Sequence, residues 1–250
     1  MAKENSNIGT LLSFVIIIIS TIIIVAGATN WKKHNVISNI QVLGNNLLSS
    51  EEVVILSGIK TPANMFTKNL DELRFKILSE PYINNVILQR DFPSRLIINI
   101  EERNPIAIIS NSFGKTNYID KNGFVLRLRN FKTTLDLPVI FTNVNYDENN
   151  FIRKEEVQLP LYTLQLIKEI DTTFYKNVSE IKLTSRNLIL KTTEHGLPII
   201  LSKSEIEESV IKLSGFFNTY KEHLFETNNG FIDARFSDQI IVSQNPIMIN

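Results

Sequence analysis

YINNVILQRDFPSRLIINIEE, residues 82–102, is the stretch on which the fold turns. Two apolar-rich runs, YINNVILQR and SRLIINIEE, flank the turn DFPS at 91–94. In the second run Leu96, Ile98 and Ile100 fall on one face and Ile97, Asn99 and Glu101 on the other, the alternation of a strand with one face buried. Upstream, NLDELRFKILSEP predicts a helix, with Asn69 as its N-cap and Pro81 as its stop. Leu70, Leu73 and Ile77 recur at helical spacing and give it one inward face. Before it, SSEEVVILSG predicts another helix, in which Ser49 and Glu52 have the spacing of a capping box and Gly58 is a terminator. KTPANMFTKN connects the two helices, and NVISNIQVLGNN at 35–46 supplies a strand that ends in a Gly-Asn turn. The order is strand, helix, helix, strand, strand. Each apolar surface needs a partner layer, so two helices cover one face of a three-stranded sheet.

Outward from this domain toward the N-terminus, IGTLLSFVIIIISTIIIVAGAT at 8–29 carries no charge and, as a helix, is long enough to cross a hydrocarbon layer about 30 Å thick. The alternatives are a buried core helix or a cleaved signal peptide. The apolar centre of a signal peptide is about 7 to 15 residues, shorter than this one, although Val25, Ala26, Gly27 and Ala28 offer small residues to a peptidase. Local charge does not set the orientation: Glu4 opposes Lys3 and the terminal amine, Lys32 and Lys33 lie just beyond the apolar stretch, and long domains cross regardless of charge. Trp31 sits where an amphipathic ring marks the membrane interface.

Composition narrows the classes of function. Acidic and basic residues balance at 26 each, which leaves no basic field for nucleic acid. Cysteine is absent, which excludes disulfides and thiolate chemistry. His34, His195 and His223 are scattered without metal-ligand spacing, so neither a metal nor a cofactor is expected. Gly114-Lys115-Thr116 ends like a phosphate-binding loop but lacks the preceding glycines. Adjacent Glu101 and Glu102 point to opposite faces of a strand, whereas paired-carboxylate catalysis needs both to face one bond. No catalytic residue is expected. Arg90, Pro93 and Arg95 are expected to set the turn and strand entry, and Glu101, Glu102 and Arg103 to give the strand a polar exit, in structural or docking roles.

Beyond residue 107, LPLYTLQLIKEI predicts a helix, SEIKLTSRNLILKTTEHGLPIIL two strands around a His-Gly turn, and SEIEESVIKLSGFFNTYKEHLF a longer helix. Ser204 and Glu207 have capping-box spacing there, and Ile206, Val210, Leu213, Phe217 and Tyr220 form its core-facing stripe. FIDARFSDQIIV, 231–242, reads as strands near a sheet edge, where unpaired backbone accepts an added strand. Asp233 and Arg235 are placed to form an ion pair. Pro246, in SQNPIMIN, interrupts ladder bonding, which leaves open whether the last residues extend that strand.

IQVLGNNLLSSEEVV, GIKTPANMF and LSEPYINNVILQRDFPSRLIINIEERNPIAII together resemble the POTRA domain that follows a single membrane helix in the bacterial cell-division family FtsQ/DivIB. YIDKNGFVL, LPVIF and FIDARFSDQIIV extend the resemblance over most of the chain, although 142–230 match mainly in pattern. The resemblance implies an α+β protein: a cytoplasmic tail at 1–7, a transmembrane helix at 8–29, a juxtamembrane strand region and POTRA domain at 30–107, and a distal mixed α/β domain at 108–250 with an antiparallel-rich sheet and an exposed edge. It also implies a non-enzymatic inner-membrane scaffold at the division septum, which links the partners FtsB and FtsL and other divisome components. Alignment to the family's partner-binding strand puts Phe236 at an aromatic contact and Asp238 at a small polar one, with Gln239, Ile240, Ile241 and Val242 continuing the edge. Glycine and alanine are frequent in the family where this chain has Gln239, Ile240 and Ile241, so its side-chain contacts differ more than its backbone pairing. Phe236, Ile240 and Val242 also suit simple burial of the sheet. A POTRA-bearing secretion or assembly factor and a membrane-anchored cell-wall enzyme are the other classes. The first normally works with a β-barrel or transport partner that this chain does not encode, and the second needs converging reactive groups.

Overall fold

The computed structural model describes residues 4–66, 68–224 and 230–243, and the chain divides into two compact units, Met1–Glu102 and Arg103–Asn250. The first opens on α1 (Glu4–His34). Its apolar stretch Gly9–Lys32 has 24 residues, roughly 36 Å of helix at about 1.5 Å per residue, and none of it is buried against protein. A core helix of a soluble domain would be covered; this one is left uncovered along its apolar length, as a membrane span is, and meets the rest of the first unit at its end, at Trp31 and Lys32.

After α1 the chain forms β1 (Val36–Ile37), β2 (Asn39–Leu43), α2 (Ser50–Ser57), β3 (Ala63–Asn64), α3 (Leu70–Leu78), β4 (Ile83–Asp91) and β5 (Arg95–Glu102). β5 is the central strand of a three-stranded sheet, parallel to β2 and antiparallel to β4. A two-stranded β1–β3 pair, not expected from the sequence, sits where the chain leaves α1. The caps form as the spacing predicts. Ser49 Oγ accepts from the Glu52 N–H while the Glu52 carboxylate accepts from the Ser49 N–H, and Gly58 ends α2 in the left-handed region at φ 67°. Asn69 caps α3 by accepting from the Asp71 N–H. Leu96, Ile98 and Ile100 are buried with Val53 of α2 and Leu73 and Ile77 of α3, whereas Leu70 stays half-buried at the rim.

The second unit contains β6 (Pro105–Asn111), β7 (Thr116–Asp120), β8 (Val125–Leu126), β9 (Val139–Thr142), α4 (Glu155–Ile170), α5 (Thr172–Lys176), β10 (Val178–Leu183), β11 (Asn187–Thr192), β12 (Pro198–Ser202), α6 (Ile206–Leu224), β13 (Phe231–Asp233) and β14 (Ile241–Ser243). They build a nine-stranded sheet in the order β14-β13-β12-β11-β10-β9-β6-β7-β8. The β12–β13, β9–β10 and β6–β9 joins are parallel and the others antiparallel. Alternate strand residues, Ile109, Ile119, Ile140, Ile181, Leu190 and Ile199 among them, share one core with Val157, Leu161, Leu164 and Ile167 of α4 and with Ile206, Val210, Leu213 and Phe217 of α6.

Four local expectations change. Residues 105–107, placed with the first domain on sequence, belong to β6, which hydrogen-bonds into the second unit's sheet. Residues 178–202 hold three strands rather than two, because Thr184 and Asn187 close an additional tight turn, N–H to C=O at 2.8 Å, ahead of the turn at His195 and Gly196. α4 starts at Glu155 and runs through Pro160, whose buried ring replaces one backbone bond with core contact. α6 starts at Ile206, with the Ser209 N–H closing its first turn onto the Glu205 C=O, so the Ser204–Glu207 box is out of register. Ser204 instead shares a hydrogen bond with Ser202, Glu207 accepts from the Tyr162 hydroxyl, and Tyr220 lies 50% exposed off the core stripe.

Asp171 joins the helices. Its carboxylate caps α5 by accepting from the Thr173 and Phe174 N–H groups, and it also accepts from Ser214 Oγ and Asn218 Nδ2 of α6. Burial works against its charge, but these bonds together hold its pKa below the ordinary value.

Candidate functional site

The two edges of the large sheet differ. β8 is closed by the chain itself: the Val125 N–H donates to Asn150 O at 2.9 Å, its carbonyl accepts from the Asn149 N–H at 2.8 Å, and Phe124 bridges Phe151. At the other edge, β14 pairs only with β13 among the described residues. Ile241 and Val242 are 40% and 43% exposed there. A strand with one free side presents unpaired N–H and C=O groups at the spacing a partner strand requires.

The support beneath this edge is buried and hydrogen-bonded. β13 lies parallel to β12, with Ile232 and Asp233 buried, and the Ala234 N–H donates to Ile200 O at 2.9 Å. The connection to β14 is tied to α6: Ser209 Oγ donates to Ala234 O at 3.0 Å, and Lys212 Nζ donates to Phe236 O and to Ser237 O. Asp233 and Arg235 form a forked pair, with Nε to Oδ1 at 2.8 Å and Nη2 to Oδ2 at 2.5 Å, while the Arg235 N–H adds a bond to Oδ1 at 3.1 Å. The carboxylate is almost wholly buried, at 6% side-chain exposure, so this is not the weak surface pair its composition suggests.

Burial of Asp233 raises its pKa, but hydrogen bonds and charge from Arg235 outweigh it and hold it below the ordinary value. A depressed folded-state pKa gives stability that is present above the unfolded value, about 3.9, and lost as pH falls through the folded value. Asp233→Asn is therefore expected to lower stability at neutral pH and to narrow its gap to wild type below about pH 4. Urea unfolding at pH 7 and pH 3 measures this, and an equal deficit at both would refute it.

The six partner candidates separate into two groups. Ile241 and Val242 lie on β14, whereas Phe236, Asp238, Gln239 and Ile240 lie in the connection before it. Phe236 is 43% exposed and Asp238 and Gln239 are exposed, but Ile240 packs partly against the core. The extent of the strand past Ser243 falls on 244–250, outside the described residues. Ser209 and Lys212, which seat the connection, carried no distinguishing signal in the sequence. Lys212 sits one turn after Glu208, at 3.5 Å, a spacing that by itself reads as a solvent-face pair.

The charged residues around 90–103 take separate positions. Arg90 donates from Nε to Met65 O at 2.9 Å and from Nη2 to Lys68 O at 2.8 Å, which holds the connector between α2 and α3. Pro93 follows a cis peptide in the β4–β5 turn, and Arg95 pairs with Asp91 at 2.7 Å. Glu101 is exposed and accepts from Asn84 Nδ2 at 3.0 Å. Glu102 is buried: Oε2 accepts from the Asn46 and Leu47 N–H groups at 3.0 and 2.7 Å, and Oε1 from the Leu48 N–H at 2.9 Å. Arg103, in the second unit, lies over the Phe124 ring at 4.1 Å and pairs with buried Asp120 at 3.1 Å. Among the described residues no group of three or more His, Cys, Asp or Glu converges as a metal site. The side chains of His34 and His223 fall outside the described residues, and His195 occupies the β11–β12 turn at φ 59°.

Comparison with known proteins gives two adjoining matches. A model described as a POTRA domain of FtsQ type covers residues 36–103, and one described as the C-terminal part of cell division protein FtsQ/DivIB covers 107–235. The second match stops at Arg235, just ahead of the open-edge candidates. The chain is similar to cell division protein FtsQ of Syntrophotalea carbinolica, with 27% identity over 82% of this chain and 73% of the relative. It is also similar to FtsQ of Geobacter sp., with 24% identity over 87% and 82%, and to cell division protein DivIB of Clostridium acetobutylicum, with 25% identity over 83% and 82%.

Proposed function

Because the chain belongs to the FtsQ/DivIB family of cell-division proteins, a family of non-enzymatic scaffolds anchored in the inner membrane by a single N-terminal span, we propose that it links FtsB and FtsL through its free sheet edge. One observation carries this reading: β14 pairs on one side only among the described residues, while β8, at the far edge, is closed by the chain itself. A partner strand laid along Ile241 and Val242 extends the sheet by main-chain hydrogen bonds, and their exposed side chains supply selectivity. Phe236, Asp238 and Gln239 flank that strand as further contacts, and Ile240 props it from below. Confinement of all partners to one membrane raises their effective concentration, so a short strand suffices.

Successive N–H groups along a strand point to opposite sides, so in Ile241 and Val242 one N–H faces β13 and the other faces the free edge. Ile241→Pro and Val242→Pro, compared for binding to the extracytoplasmic portions of a matched FtsB–FtsL pair, are expected to differ. The substitution that removes the outward N–H abolishes binding with thermal unfolding unchanged, since proline is tolerated at an edge. Normal binding by both folded variants would move the interface elsewhere, and no binding by wild type would exclude this partnership.

A further inference from the structure

Trp31, Phe66 and Phe92 come from three separate segments: the end of α1, the connector between α2 and α3, and the β4–β5 turn. Their rings close a triangle, with centroids 5.4 Å apart for Trp31–Phe66 and 5.6 Å for both Trp31–Phe92 and Phe66–Phe92. Such a cluster ordinarily hides apolar surface, yet Trp31 is 54% and Phe92 48% exposed. In water, half-open aromatic faces gathered at one point are unfavourable.

The joint beneath the rings is hydrogen-bonded. Asn35 Nδ2 donates to Trp31 O at 2.7 Å, Asn64 Nδ2 to Lys32 O at 3.0 Å, and the Met65 N–H to Asn35 O at 3.0 Å. The first two are carbonyls that a helix end leaves unpaired. The chain then enters β1, which pairs with β3, so α1 passes into the first unit through a bonded joint. Trp31 lies in the last turn of the apolar stretch Gly9–Lys32, the level at which aromatic rings favour the membrane–water interface. Ring contact with Trp31 sets the depth of Phe66 and Phe92 as well.

We propose that Trp31, Phe66 and Phe92 form a seat on the bilayer interface, on which the first unit rests through the α2–α3 connector and the β4–β5 turn. The occupant is lipid rather than a protein groove, because the rings continue the surface that α1 already presents to the bilayer. Amphipathic and aromatic side chains gain most where hydrocarbon meets headgroups, and the exposed halves of Trp31 and Phe92 meet that environment without rearrangement. The seat holds the POTRA domain at a set height, and it rests on the spanning role of α1, independently of the strand edge at 241–243.

The chain lacks cysteine, so single cysteines at 66, 92 and 75 each carry one nitroxide without background. Phe75, 79% exposed on α3, serves as the aqueous reference. The experiment uses the full chain in phosphatidylcholine–phosphatidylglycerol vesicles and compares collisions with oxygen against those with a water-soluble nickel chelate. The logarithm of that ratio is expected to be positive at 66 and 92 and negative at 75. Values at 66 and 92 as negative as at 75 overturn the proposal. Because the label replaces a ring, 4-fluorophenylalanine introduced at 92 gives a second readout with the triangle intact. Fluorine broadening by a lipid-borne nitroxide, but not by the aqueous nickel chelate, is expected, and the reverse pattern overturns the seat.

Discussion

Gly44→Ala is expected to abolish cooperative folding of the first unit. Gly44 sits at φ 79°, and a Cβ there would lie 2.0 Å from the carbonyl oxygen of Ile100. That oxygen belongs to the central strand of the three-stranded sheet, so it cannot rotate away as a flexible side chain does. The left-handed backbone alone costs an L-residue about 1–2 kcal/mol, and relief of the overlap requires a shift of β2 or β5. A total above about 4 kcal/mol approaches the whole stability of a small domain. Gly58 separates the two contributions: it is also left-handed, at φ 67°, but a Cβ there meets nothing within 4 Å. Gly58→Ala is expected to cost only about 1 kcal/mol. Trp31 is the only tryptophan and packs on Phe66 and Phe92, so its emission during thermal unfolding reports on the first unit alone. A Gly44→Ala transition within a few degrees of wild type would show that the β2–β5 approach is looser than described.

Glu102→Ala is expected to cost about 3–5 kcal/mol, while Glu101→Ala, its immediate neighbour, stays within about 0.5 kcal/mol. The Glu102 carboxylate collects three backbone N–H groups of the 46–48 turn, with contacts of 2.7 to 3.0 Å, and is 8% exposed. Its removal takes away three hydrogen bonds to a charged acceptor, each worth about 1.5–3 kcal/mol; the Leu48 N–H is left in buried surroundings, while those of Asn46 and Leu47 are part-buried and recover some of the loss from water. Glu102→Gln keeps one oxygen but turns an N–H₂ toward the remaining donors, so an intermediate loss is expected. Denaturant titrations that follow Trp31 emission rank the three variants. Equal losses at positions 101 and 102 would mean that the charge, rather than this set of bonds, supports the strand end.

These two glutamates mark the limit of what the sequence discloses. Alternation placed them on opposite faces and excluded a shared catalytic bond, and in the structure Glu101 is exposed and Glu102 buried. What Glu102 holds lay 54 to 56 positions away in the chain, beyond any local pattern. The same division holds at α6. Its apolar stripe was legible through Phe217, but its true start, and the use of Ser209 and Lys212 to seat the β13–β14 connection, depend on a segment that returns 24 or 25 residues later.

By itself the sequence determined the apolar span, the strand–helix–helix–strand–strand order, the Ser49–Glu52 box and the left-handed Gly58, because each arises from residues within a few positions of one another. Only the tertiary structure decided that the segment at 149–151 returns to cover β8, whereas β14 pairs with β13 alone among the described residues, since both are short terminal strands. Only it decided that Trp31, Phe66 and Phe92 meet, and that the Asp233 carboxylate is buried beneath a forked bond from the exposed Arg235. Strand order, burial and ring contact are set by how distant segments share one core, and a periodicity read along the chain carries no record of which segment arrives from elsewhere.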